Sequence, residues 1–265
     1  MIENISDYQI EVARKVIEDH KVKPLNKEGA LESLVFCIAS QATRWEIASK
    51  IIYALRRSSH GNEKAFTSWE DLTSKDNINR IVRENRWRFA YNERFDSAID
   101  YFRNLESGWW MPIVEADSKT REKYCAEIRW LSRKTFSFWS ICLGGTNLLA
   151  LDVYVLRGLK DLDIEMNSHF FTPKSRNVGV QKVRKTPSAK EYIIFENSAR
   201  EIFSHDERFL MEDGRVNMAL VDGVLWWNGA NRYDSNQLGL FGSGMNSFIL
   251  PYSGYSFSNS SGNSP

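Results

Sequence analysis

The stretch from Trp130 to Leu156 constrains the fold more than any other part of the chain. After the basic pair Arg133-Lys134 it continues as an apolar helical run, breaks at Gly144-Gly145, and resumes as an apolar run whose single carboxylate is Asp152. Two apolar runs joined by a glycine pair must both be buried. A charge inside such a segment is costly unless it finds a partner. The fold must therefore place one lysine and one aspartate in largely apolar surroundings.

Helical spacing of apolar residues extends over most of the chain, and no alternating pattern is long enough to build a sheet. The sequence therefore predicts an all-α fold. A helix beginning after Ser6 or Asp7 is expected, followed by a pair of helices that a polar interruption divides near Ser40. The remaining predicted helices cover residues 81–105, 118–129, 135–143, 191–203 and 217–227. Residues 234–265 are rich in Ser, Asn and Gly, which predicts a disordered tail after a domain covering 1–233.

The net charge of the 265-residue chain is +1, so any surface that attracts a polyanion must be local. Two local surfaces qualify. The predicted helix at 81–105 carries several arginines, and residues 172–190 contain basic residues but no acidic ones. Solvated charge and contact with nucleic acid both remain open for each of them.

Three cysteines lie in apolar helical patterns without Cys-x-x-Cys spacing: Cys37, Cys125 and Cys142. They predict buried thiols and no iron–sulfur cluster. The N-terminus does not resemble a signal peptide, and no apolar run approaches the length of a membrane span. We therefore expect a cytoplasmic protein without a membrane partner.

Lys134 and Asp152 together suggest the chemistry of an amine nucleophile. A helix N-terminus disfavours a protonated amine, and a neutral amine can attack an electrophilic carbon to form a Schiff base. Such a reaction needs a carboxylate that stabilises positive charge or moves protons. A plain salt bridge between the two residues is the alternative that spacing alone leaves open.

The same segment resembles the helix-hairpin-helix DNA glycosylases, a superfamily that includes the endonuclease III and 8-oxoguanine glycosylase families. The motif Ser132-Arg133-Lys134-Thr135, the apolar helix and Leu151-Asp152-Val153-Tyr154-Val155 carry the resemblance. The pattern is most similar to that of the smaller 8-oxoguanine glycosylase/AP lyases. It implies two helical subdomains that flank a cleft, in which residues 160–233 pack with the opening helices. It also implies that Lys134 and Asp152 are catalytic.

The resemblance assigns further roles by position. It implies contacts with DNA from Gln41, Ser132, Arg133 and Thr135. A base pocket is expected from Trp87, Arg88, Trp226 and Trp227. Trp130 and Ser132 stand where the superfamily's hairpin has glycines, which argues against the monovalent cation otherwise expected at the hairpin. No other cofactor is implied.

The implied function is excision of a modified base from double-stranded DNA by a monomeric enzyme, through a lysine Schiff base that also permits strand scission. Oxidised guanine is the default target. Another or hypermodified base, for example in defence against foreign DNA, is an alternative. Two further alternatives are a monofunctional glycosylase that uses Asp152 alone and a DNA-binding module without chemistry.

Overall fold

A computed structural model describes residues 5–23, 25–40, 83, 97–98, 100–102, 108–129, 131–162 and 186–233. Regular structure within these ranges is helical, apart from one isolated bridge between Leu210 and Val216, so the all-α prediction is confirmed. The helices are α1 (Asp7–His20), α2 (Lys27–Ala39), α3 (Met111–Val114), α4 (Ser118–Glu127), α5 (Arg133–Cys142), α6 (Val153–Asp161), α7 (Ala189–Phe203), a 3-10 turn (Glu207–Phe209) and α8 (Met218–Tyr233).

Local sequence signals set several helix ends. Ser6 caps α1 in a capping box with Gln9, in which each side chain bonds to the other residue's backbone N–H. Helix α2 ends at Ala39, where the polar interruption was predicted. None of the described helices is both long and apolar enough to cross a membrane.

The core consists of two main apolar clusters. The first surrounds α2 and α5, where the Trp139 indole donates to Ala30 O at 3.0 Å and Ser33 Oγ at 2.9 Å. The second surrounds α1, α6, α7 and α8. This division agrees with two helical subdomains. The predicted tail at 234–265 and most of the basic segment at 172–190 lie outside the described residues, so the domain boundary stays a prediction.

The glycine pair ends α5 and turns the chain toward the second cluster. Gly144 has a φ of 100°, a left-handed conformation that favours glycine. A Cβ at Gly145 would lie 2.2 Å from Ser140 Oγ and 2.8 Å from Val114 O. Both glycines are therefore required by the turn, which leads into the irregular segment before Asp152.

Helices α6 and α8 approach each other through two more glycines. A Cβ at Gly158 would lie 2.4 Å from Leu225 O, and one at Gly229 would lie 1.9 Å from Tyr154 O. The backbones of the two helices are therefore in direct contact. This contact fixes the start of α6, which carries Asp152, against α8.

Candidate active site

Lys134 is the second residue of α5 and lies in its first turn. Ser132 caps the helix, because its Oγ accepts a hydrogen bond from Thr135 N at 3.2 Å. The half-buried Lys134 side chain extends along the helix, with Nζ 5.7 Å from the ring centroid of Phe138, one turn further on. Lys134 therefore lies at the N-terminus of a helix, as the sequence predicted.

The neighbours of Lys134 were predicted to contact DNA, and the structure gives each a local partner. Ser132 Oγ and Thr135 Oγ1 are 2.7 Å apart, and Thr135 is only 1% exposed. The Arg133 guanidinium forms an ion pair with Glu122 at 2.7 Å and remains partly exposed. Ser132 has a φ of −80°, so its backbone needs no glycine. Contact of these residues with DNA stays a prediction, and buried Thr135 has the least surface to offer.

Asp152 is the N-cap of α6. Its Oδ1 accepts hydrogen bonds from Tyr154 N at 2.8 Å and from Val155 N at 2.9 Å. The Trp226 side chain on α8 also donates a hydrogen bond to this carboxylate. The cap explains why an aspartate is favoured at this position even without any chemistry.

Burial raises the pKa of Asp152 above its usual value. The positive charge of Lys134 opposes this rise, and the hydrogen bonds from the Val155 amide, the Tyr154 amide and Trp226 oppose it further. The net pKa remains raised, which means that desolvation outweighs the favourable partners. Lys134 and Asp152 are therefore close enough to interact electrostatically, as the catalytic prediction requires.

Asp222 is a second carboxylate at the same place, and the sequence prediction missed it. It lies on α8, where its Oδ1 accepts a hydrogen bond from Ala150 N at 2.6 Å. Burial raises its pKa well above the usual value. The Ala150 amide and the charge of Lys134 oppose the rise, whereas the negative charges of Asp152 and Glu196 add to it. Asp222 is the only acidic residue in the apolar run MALVDGVLWW, a signal that could have identified it.

The structure describes two of the four residues that were predicted to line a base pocket. Trp226 lies beside the site, because it bonds to Asp152 and its ring meets that of Tyr154 edge-on at 5.6 Å. Trp227 is half-buried and follows on α8, about 100° around the helix. The other two predicted pocket residues, Trp87 and Arg88, lie outside the described residues, as do Gln41 and Trp130.

The arrangement combines an amine, two carboxylates and aromatic surfaces at the junction of the two clusters. Lys134 lies on a helix of the first cluster. Asp152 caps α6 and Asp222 lies on α8, two helices of the second cluster, against which Trp226 packs. An amine that interacts electrostatically with two carboxylates of raised pKa suits nucleophilic attack with nearby proton transfer. Among the described residues, no group of three His, Cys, Asp or Glu side chains is placed to hold a metal ion.

Comparison with known proteins identifies a similar fold. No protein-family model matches the chain, and no curated protein matches it. A crystal structure of Methanocaldococcus jannaschii 8-oxoguanine glycosylase/lyase, in complex with a DNA 15-mer containing 8-oxoguanine, is similar with a TM-score of 0.54. The alignment has 17% identity and covers 88% of this chain and 95% of the other. The 8-oxoguanine DNA glycosylase of Thermotoga maritima aligns with a TM-score of 0.45 and 17% identity, over 83% of this chain and 86% of the other.

Proposed function

We propose that this chain is a DNA N-glycosylase with AP lyase activity that excises a modified base from double-stranded DNA. The observation that carries the proposal is the pairing of Lys134, at the mouth of α5, with Asp152, at the start of α6. That pairing occurs in a fold similar to that of a glycosylase/lyase whose structure contains 8-oxoguanine DNA. Oxidised guanine is accordingly the first substrate to test.

The lysine supplies the nucleophile. Neutral Lys134 Nζ attacks C1′ of the target nucleotide as the N-glycosidic bond breaks, and the bonding electrons leave with the base, which takes up a proton. Loss of a proton from the amine and opening of the sugar give a Schiff base at C1′. Removal of a C2′ proton then expels the 3′ phosphate by β-elimination, and water releases the lysine.

The reaction creates positive charge on the sugar, and a carboxylate is needed to stabilise it. Asp152 stabilises the oxocarbenium-like positive charge at C1′ and assists proton transfer. Burial raises its pKa, which makes the carboxylate a better proton acceptor than an exposed aspartate. The cap bonds from Tyr154 and Val155 hold its Oδ1 in place, which restricts the rotation of the carboxylate.

The target base must leave the helical stack before Lys134 can reach C1′. Extrusion costs a few kcal/mol and is easiest for a damaged or mispaired base. We propose that Trp226 lines the pocket that receives the extruded base, and that Gln41 fills the space that the base leaves in the DNA helix. Ser132 and Arg133 contact the DNA backbone. The DNA is the only partner proposed, and no cofactor takes part.

Replacement of Lys134 by Gln tests the proposal. The wild-type chain should form a covalent adduct with 8-oxoguanine DNA in the presence of borohydride and should nick the strand, whereas Lys134→Gln should do neither. The measurement is gel analysis of trapped protein–DNA species and cleaved strands. Lys119→Gln is the matched control, because Lys119 is an exposed lysine in the first turn of α4. That variant should behave like the wild type.

Other outcomes separate the alternatives. Trapping by Lys134→Gln would refute the assignment of the nucleophile. Base release without nicking by the wild type would indicate a monofunctional glycosylase that depends on Asp152. Binding without release of any base would favour a DNA-binding module. Mass spectrometry of the bases released from genomic DNAs of varied modification would distinguish oxidised guanine from another or a hypermodified base.

A further inference from the structure

The segment 148–151, which leads into Asp152 and has no regular secondary structure, is held by side chains from two helices. Three consecutive backbone amides bond to three different side chains of α7 and α8. The contacts are Leu149 N to Glu196 Oε1 at 3.1 Å, Ala150 N to Asp222 Oδ1 at 2.6 Å and Leu151 N to Tyr192 Oη at 2.8 Å. Buried amides need such partners, and no strand among the described residues lies beside this segment to supply them.

The Tyr192 hydroxyl bonds to the segment at two points. Its hydroxyl accepts from Leu151 N and donates to Leu149 O at 3.1 Å, so one oxygen bonds two backbone groups that are two residues apart. The residue is completely buried. Leu151 immediately precedes Asp152, and any shift of its amide therefore moves the carboxylate.

Arg121 connects this framework to the helix that carries Lys134. The guanidinium is 0% exposed, donates to Glu196 Oε1 at 2.6 Å and lies 4.2 Å from the Tyr192 ring centroid. A longer bond of 3.4 Å reaches Ser137 Oγ. Ser137 lies three residues after Lys134 on α5 and hence on the same side of the helix. A continuous set of contacts thus runs from the lysine helix to the aspartate segment.

We propose that Tyr192 and Glu196, anchored by Arg121, are positioning residues that set the placement of Asp152 relative to Lys134. The proposal rests on the proposed function, since it assigns a role in that reaction. Neither residue contacts the reacting atoms. Their effect on rate follows from geometry, because misplacement of a catalytic group by about 1 Å can cost roughly a hundredfold.

Tyr192→Phe is the most direct test, because it deletes one hydroxyl and keeps the ring under Arg121. Single-turnover cleavage and borohydride trapping are measured with enzyme in excess over 8-oxoguanine DNA, so that the rate constant reports on folded molecules. Affinity for DNA carrying a reduced abasic site is measured separately. We expect the rate constant to fall roughly tenfold or more, while affinity stays within about threefold.

Tyr101→Phe is the matched control. It removes a hydroxyl that donates to the Glu127 carboxylate, away from the segment before Asp152, and should leave the rate constant unchanged. Glu196→Gln provides a second variant that keeps an oxygen acceptor for Leu149 N, and its rate constant should also fall at unchanged affinity.

The outcomes are distinguishable. A wild type and a Tyr101→Phe variant that trap DNA, together with a Tyr192→Phe variant that traps at the wild-type rate, would overturn the positioning role alone. A parallel loss of affinity and rate in Tyr192→Phe would also overturn it, since that pattern indicates general damage to the fold. A wild type that never traps would overturn the proposed function and with it this role.

Discussion

The Asp152 carboxylate combines a structural role with a chemical one, and two substitutions separate them. Asn is as good an N-cap as Asp, whereas Ala is not. Asp152→Asn should therefore keep the fold and lose activity at least a hundredfold, because the negative charge that stabilises the transition state is gone. Asp152→Ala should lose activity and also about 1 kcal/mol of unfolding free energy relative to Asp152→Asn. Denaturant unfolding and single-turnover cleavage measure the two effects.

Two results would contradict this prediction for Asp152. Full activity in Asp152→Asn would show that the carboxylate serves only as a cap for α6. Equal stability of the Asn and Ala variants would show instead that the bonds to Tyr154 and Val155 contribute little.

Asp222 gives a prediction about pH. Its folded-state pKa is raised by burial and by its acidic neighbours, so the folded chain binds more protons than the unfolded chain between the ordinary aspartate pKa and the raised value. The stability contributed by its neutral form is present below that window and is lost as pH rises through it. Asp222→Asn should therefore be more stable than the wild type at pH 8, where the wild-type carboxylate is more costly to bury.

Denaturant unfolding across pH 4 to 8 checks the Asp222 prediction. The stability difference between Asp222→Asn and the wild type should grow with rising pH. A difference that is constant with pH, or an Asn variant that is less stable at pH 8, would contradict it. The amide oxygen of the substituted side chain can still accept from Ala150 N, which keeps the comparison focused on charge.

At the residue level, the sequence identified those site residues that stand out in a local pattern. Lys134 and Asp152 stand out because each is a charge placed beside an apolar run within one short segment. Tyr192 and Glu196 were not identified, because their partners are 41 to 47 residues away in sequence. A buried tyrosine at helical spacing is indistinguishable from an ordinary core residue until the segment that it holds is known.

At the level of elements, the close contact of α6 with α8 should be highly sensitive to added volume. Gly229→Ala would place a Cβ 1.9 Å from Tyr154 O, a backbone atom that cannot move aside without displacing the start of α6. We expect a loss of about 3 kcal/mol or more of unfolding free energy. Thermal and denaturant unfolding measure it.

Gly223→Ala, in the same helix, is the control. Its Cβ would lie 3.1 Å from the Cβ of Ala13, and the better helix propensity of alanine offsets part of the crowding. Its stability should stay within about 1 kcal/mol of the wild type. Comparable losses in both variants would mean that α8 tolerates no alanine at glycine positions in general and that the contact with α6 has no special role.

Helix positions were more predictable than helix contacts. Periodicity and caps placed the start of α1 and both ends of α4, α5 and α7 within two residues, because both signals are local. Helix α8 begins within one residue of its prediction but ends at Tyr233, six residues beyond the predicted end. The glycines that join α6 to α8 carry no comparable signal. A glycine within a helix predicts only a weaker helix unless the facing backbone is known.

For the whole molecule, the buried pair of Arg121 and Glu196 connects the two apolar clusters. Both side chains are at most 3% exposed and lie 2.6 Å apart. Removal of one charge leaves the other buried without compensation, so Arg121→Met should cost about 3–5 kcal/mol. Replacing both by apolar residues should recover most of that loss. Denaturant unfolding of Arg121→Met, Glu196→Leu and the double variant measures the coupling.

If the double variant were no more stable than Arg121→Met, the pair would not be coupled in this way. A fully recovered stability combined with a slow single-turnover reaction would separate the role of the pair in holding the fold from its role in placing Asp152.

The backbone contact between α6 and α8 also has a mechanical consequence. Because the helix backbones touch at Gly158 and Gly229, α6 and α8 pack as one unit, and this unit carries Asp152, Asp222 and Trp226. Lys134 lies outside this unit, on α5. A substitution that displaced α6 and α8 together would therefore change the distance of both carboxylates and of the indole from the amine by a similar amount.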